Sequence, residues 1–75
     1  MDGQLQRNLG RNLRRWRKDR QLSQEVLAEV LAVNRTYIGE VERGERNLTL
    51  RSVEQIAETL DLDPLELLRD QPFQE

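Results

Sequence analysis

Apolar residues recur along this chain at intervals of three and four, the period of a helix buried on one face. Leu5, Leu9, Leu13 and Trp16 form a first stripe. Leu27, Ala28 and Leu31 form a second, Ile38 and Val41 a third, Val53, Ile56, Ala57 and Leu60 a fourth, and Leu65 with Leu68 a fifth. No segment shows the alternation of a half-buried strand bounded by turns. Between the stripes lie start signals. A side chain that caps a helix N-terminus is often preceded by an apolar residue that packs against one five positions later. Leu22-Ser23 with Leu27, Val33-Asn34 with Ile38, Leu48-Thr49 with Val53, and Leu62-Asp63 with Leu67 all have that spacing. Pro64 follows the last cap at the first helical position, and Glu66 stands where a capping box places an acid. These signals predict helices over roughly 4–20, 24–31, 35–42, 50–60 and 64–69, in one compact all-α domain of five helices spanning 1–75, with 70–75 as a frayed tail.

Composition narrows the chemistry. The 75 residues are 36% hydrophobic and 35% charged, a balance that reads as a soluble globular chain near the lower size limit for an unaided core. Apolar runs are too short for a membrane span or a secretory leader. There is no Cys and no His, which removes disulfides, thiol nucleophiles, structural zinc and the usual general base. The carboxylates are scattered over solvent-facing helix positions without a glycine-rich phosphate loop, so an enzyme, a metal site or a cofactor is not expected.

A net charge of −2 argues against a nucleic-acid partner only until it is divided along the chain. Residues 1–20 carry +5, residues 21–46 carry −2 and residues 47–75 carry −5. Eleven of the twelve cations are Arg, whose planar fork suits phosphates and guanine edges. Arg7 to Arg20 read equally well as a merely solvated helix face.

Two residues separate the second helix from the cap of the third, so the pair turns sharply, the layout of a helix-turn-helix whose second member can enter the major groove of DNA. Ser23-Gln24-Glu25-Val26-Leu27-Ala28, Leu31-Ala32-Val33-Asn34, Ile38 and Val41-Glu42-Arg43-Gly44 resemble the Cro and lambda-repressor-like helix-turn-helix family. The likeness spans about residues 9–68, with Leu9-Gly10-Arg11 and Leu13-Arg14 in the first helix. Ala28 is small where two helices cross, and Leu27, Leu31, Val33, Ile38 and Val41 are expected to fill the wedge between them. Arg35-Thr36-Tyr37-Ile38, Glu42-Arg43 and Arg46-Asn47-Leu48-Thr49 further resemble the controller proteins of restriction–modification systems, small dimeric regulators of their own operon.

In such a layout the start of the third helix faces base edges. Arg35 is placed to make two hydrogen bonds to guanine, Thr36 to contact a thymine methyl or a phosphate, and Tyr37 either to read a base or to pack as a helical aromatic. Glu40, one turn on, either accepts from cytosine or repels the backbone. Asn34, Arg43, Arg46 and Asn47 flank this helix as candidates for phosphate. The resemblance adds Gln24 as a phosphate-binding glutamine, assisted by helix-terminal amides. It also implies that Arg17 and Glu42 bond each other and tie the first helix to the third, a structural role.

Three positions depart from the family pattern. Ala32 stands where the turn usually has Gly, Gln21 replaces a Gly after the first helix, and Gly39 replaces a Ser inside the third. Gly39 either permits close approach to DNA or is neutral. Val26 and Val30 form an apolar pair on the second helix where charges are common, most simply exposed to solvent.

Leu60, Leu62, Leu65, Leu67 and Leu68 offer more apolar surface than one end of a small domain can hide. A homodimer joined through Leu62, Leu65 and Leu68 is expected, its acidic half away from DNA and its recognition helices in successive major grooves of a pseudo-palindromic operator. The expected function is a transcriptional regulator on double-stranded DNA, repressor or activator, in the cytoplasm of a bacterial or phage system, with no membrane and no small-molecule ligand. Contact with RNA polymerase through Glu25, Glu29 or Glu40 would accompany activation. The competing class is a protein–protein adaptor or antitoxin module built on the same fold.

Overall fold

The computed structural model describes residues 3–70 as five helices: α1 (Gln4–Asp19), α2 (Gln24–Leu31), α3 (Arg35–Glu42), α4 (Leu50–Leu60) and α5 (Pro64–Leu68). Of the tail expected over 70–75, Asp70 is held by Arg11, which donates to its carbonyl at 3.3 Å, and 71–75 lie outside the described residues.

Each of the four expected caps is formed. Ser23 accepts from the Val26 N–H, Asn34 from Tyr37, Thr49 from Ser52 and Asp63 from Leu65. These bonds satisfy amide donors that have no partner inside the helix. The first helix starts differently, on Gly3 at φ 83° with no side-chain cap.

The helix ends share a second device. Leu22 N–H bonds Arg17 C=O, Val33 bonds Ala28, Glu45 bonds Glu40, and Leu62 bonds Ala57, at 2.8–3.1 Å. Each six-residue closure turns the chain through one left-handed residue: Gln21, Ala32, Gly44 and Asp61, at φ 59°, 61°, 76° and 61°. Only Gly44 adopts that conformation without a Cβ penalty. The turn between α2 and α3 is therefore left-handed at Ala32, despite the Ala.

All five helices contribute to one core of Leu9, Leu13, Leu27, Ala28, Ile38, Val41, Val53, Ile56, Ala57, Leu60 and Leu67. α1 packs against α3 and α5, α2 against α3 and α4, and α4 against α5. The α1–α3 crossing is close at Gly10, where an added Cβ would overlap the Val41 carbonyl oxygen and lie 2.7 Å from that of Glu42. α5, only five residues long, is held from outside itself. Asn12 Nδ2 donates to Leu67 O at 2.8 Å and Arg69 O at 2.9 Å, and Asn8 Nδ2 to Leu68 O at 3.1 Å. Two asparagines of α1 thus satisfy the carbonyls that end α5.

Several apolar expectations are corrected. Leu5 is 58% exposed because the first turn of α1 extends past the core and rims a groove instead. Val33 is 37% exposed, leaving Leu31 to pack on the core from the end of α2. Leu60 and Leu67 belong to the core itself and are unavailable to a partner.

Candidate nucleic-acid interface

The third helix presents its first turn outward. The side chains of Arg35 and Thr36 are exposed and, among the described residues, engage no hydrogen bond or ion pair. Asn34 spends its Oδ1 on the Tyr37 amide at 2.8 Å, which leaves its NH2 half as donor. The opposite side of the helix is anchored by Ile38 and Val41, at 0% and 2% exposure. A short helix fixed at its cap and along its buried side presents Arg35 and Thr36 with little backbone freedom.

Tyr37 is half-buried, packed against the core, and the Arg46 guanidinium lies 4.7 Å from its ring centroid. Arg46 Nη1 also reaches Glu40 Oε1 at 3.4 Å. Arg46, expected among the phosphate contacts, is thus gathered with Tyr37 and Glu40 from the base-reading set. The pairing partly neutralises the carboxylate, so Glu40 repels a nucleic-acid backbone less than a free acid would.

Behind this face lies a polar node. Arg17 Nε donates to Glu42 Oε2 at 2.7 Å and Arg17 Nη2 to Glu42 Oε1 at 2.9 Å, with side-chain exposures of 11% and 4%. Arg17 Nη1 donates to Leu22 O at 2.9 Å, and Gln24 Nε2 to Glu42 Oε1 at 3.0 Å. One carboxylate therefore links α1, α2 and α3. Donating hydrogen bonds to the Glu42 carboxylate pushes the Arg17 pKa further up, against the opposing effect of burial. The Gln24 bond had no local signal in the sequence, since it joins residues eighteen positions apart.

Beyond α3, Arg43 Nε and Nη2 donate to Glu45 at 3.0 and 3.2 Å. Hydrogen bonding to Arg43 holds the Glu45 carboxyl below its ordinary range and raises Arg43. Asn47 is exposed and lines the groove beside the start of α1.

Three of the N-terminal cations lie elsewhere, whereas Arg7 packs against Gly44 just beyond α3. Arg11 bonds Asn8 Oδ1 and Asp70 O beside α5. Arg20 lies 4.0 Å over the Trp16 ring, and with Arg15 lines a second groove beside Leu62 and Glu66. Trp16 Nε1 is buried there without a hydrogen-bond partner among the described residues.

The three expected interface leucines are separated. Leu65 is 72% exposed. Leu68 lines a groove of about 290 Å³ with Leu5, Leu9, Leu48, Leu50 and Val53, whereas Leu62 lines the Trp16 groove. Sequence reading missed Leu50, 77% exposed, because a residue at the first position of a helix carries no period of its own. Val26 and Val30 are 41% and 47% exposed. Among the described residues no cluster of three potential ligands can hold a metal ion, and no helix is long and apolar enough to cross a membrane.

Residues 8–70 match the family described as helix-turn-helix domain. Control protein C.SmaI of Serratia marcescens is 46% identical over 63 residues, covering 84% of this chain and 75% of that protein. Control protein C.BamHI of Bacillus amyloliquefaciens is 45% identical over 47 residues, 63% of this chain and 58% of that protein. The crystal structure of the restriction–modification controller protein C.AhdI from Aeromonas hydrophila superposes with a TM-score of 0.75 at 40% identity, covering 89% of this chain and 99% of that one.

Proposed function

The chain belongs to the helix-turn-helix family, with controller proteins of restriction–modification systems among its relatives, and on that premise we propose that it is a transcriptional regulator that binds duplex DNA through α3. The observation that carries this reading is the pair Arg35 and Thr36, unpartnered and exposed on a helix clamped along its other side. A bidentate arginine on guanine supplies ~1–3 kcal/mol of discrimination. Around it, Tyr37 and Glu40 read bases, while Gln24, Asn34, Arg43, Arg46 and Asn47 position the protein on phosphates.

A helix of eight residues spans few base pairs, so selectivity requires two copies. A two-fold dimer over a pseudo-palindrome answers this need, and the exposed Leu65, with Leu68 at the edge of its groove, supports α5 as the contact. Leu62 faces the other groove and contributes less. The regulated target includes the protein's own operon, in a restriction–modification setting, with the cell interior as its place of action. Output then follows protein concentration, since dimerisation and operator occupancy both rise with it.

Salt titration of duplex binding tests the reading. A protein making 6–10 phosphate contacts loses about 10³–10⁵ in affinity between about 50 and 200 mM salt. Salt-independent or absent binding would leave the adaptor role in its place.

A further inference from the structure

Gly39 sits within α3 beneath two donors from different elements. The point that its Cβ would occupy is 3.3 Å from Arg43 Nη1, 3.8 Å from Gln24 Oε1 and 3.9 Å from Gln24 Nε2. The amide of Gln24 and the guanidinium of Arg43 thus converge over bare helix backbone, within 4 Å of one point. Glycine here costs helix stability relative to alanine, and no positive φ or tight backbone crossing requires it.

Each donor is aimed by a carboxylate. Gln24 Nε2 gives one hydrogen to Glu42 at 3.0 Å and keeps the other. Arg43 commits Nε and Nη2 to Glu45, and its Nη1, the edge nearest Gly39, has no acceptor among the described residues. The Glu42 side chain is 4% exposed and bonded to Arg17, so it orients Gln24 without presenting its own charge outward.

We propose that Gln24 and Arg43 form a single two-donor clamp on one DNA backbone phosphate, and that Gly39 is the positioning residue whose missing side chain lets them close together. The proposal rests on the DNA-binding reading above. A phosphate offers two non-bridging oxygens, one for each donor, and an oxyanion bonded by charged and neutral donors together gains in both strength and register. A Cβ at residue 39 would lie 3.3 Å from Nη1, so the guanidinium must give by a few tenths of an ångström, which changes its spacing from the Gln24 amide.

The experiment uses the full chain and the duplex that it enriches from a randomised pool. Gly39→Ala is expected to melt at or above the parent temperature and yet bind about tenfold more weakly, the loss of one charge-assisted hydrogen bond. Gln24→Ala and Arg43→Ala are each expected to weaken binding, and their combined loss to fall short of the product of the two, because the donors share one phosphate. Gly39→Ala affinity within about twofold of the parent overturns the clamp, as do Gln24→Ala and Arg43→Ala losses that multiply. Should Gly39→Ala fail to fold, the Gln24–Arg43 cycle decides alone. A parent that enriches no duplex overturns the DNA-binding reading and the clamp with it, whereas a parent that binds while the variants match it overturns the clamp only.

Discussion

Arg17 and Glu42 meet in a two-point bond, Nε to Oε2 at 2.7 Å and Nη2 to Oε1 at 2.9 Å, that ties α1 to the last turn of α3. Both side chains are nearly sealed from water, so removing one strands a buried charge. Arg17→Ala is expected to cost about 3–5 kcal/mol, a large share of the stability of a domain this size. Replacing the pair together, Arg17→Met with Glu42→Leu, should recover much of that loss, since the desolvation of both ions disappears with them. Urea unfolding measures it. An Arg17→Ala midpoint equal to the parent's would mean that the node does not hold the helices.

Ala32 occupies the left-handed region at φ 61°, ψ 41° in the turn that sets α3 against α2. The steric cost of a Cβ there is ~1–2 kcal/mol, partly offset because glycine has more freedom to lose on folding. Ala32→Gly is expected to stabilise by about 0.5–1 kcal/mol, raising the melting temperature by a few degrees for a domain of this length. Thermal unfolding checks it, and an unchanged or lower melting point would contradict the strain argument.

Much of this turn was legible in the sequence, because the signals that build it are local. Ser23, Asn34, Thr49 and Asp63 cap the residues immediately after them, so spacing alone locates four helix starts. Left-handed Ala32 and Gln21 were visible only against a family that places Gly there, and Asp61, with no such contrast, was not. The leucines near the C-terminus show the limit of periodicity. α5 makes little more than one turn, too short for a period to say that Leu67 is buried at 1% and Leu65 exposed at 72%. Contacts between distant segments were not legible either. Asn12 on the carbonyls of α5 and Gln24 on Glu42 depend on how helices stack, which no window of sequence contains. In the candidate site, the residue types at 35–47 were readable. Their grouping was not, with Arg46 on Tyr37 and Glu40 rather than apart from them.

Leu65 is an exposed leucine on α5, beside Leu68 and the groove containing Leu50. If the proposed dimer forms through α5, Leu65→Asp is expected to sediment as a monomer with its helical content intact, since the side chain contributes little to the monomer core. Leu62→Asp should weaken association less, because Leu62 lines the opposite groove. A Leu65→Asp protein that sediments as the parent does would remove α5 from the interface.

Arg35, unpaired at the outward start of α3, is the residue proposed to read a base pair. Its most direct test is the affinity of Arg35→Ala for the best duplex selected by the parent, measured beside the same duplex with single base pairs changed. Arg35→Ala is expected to lose about tenfold or more in affinity, together with relaxed preference at one position in each half-site. Equal affinity and unchanged preference in Arg35→Ala would contradict it.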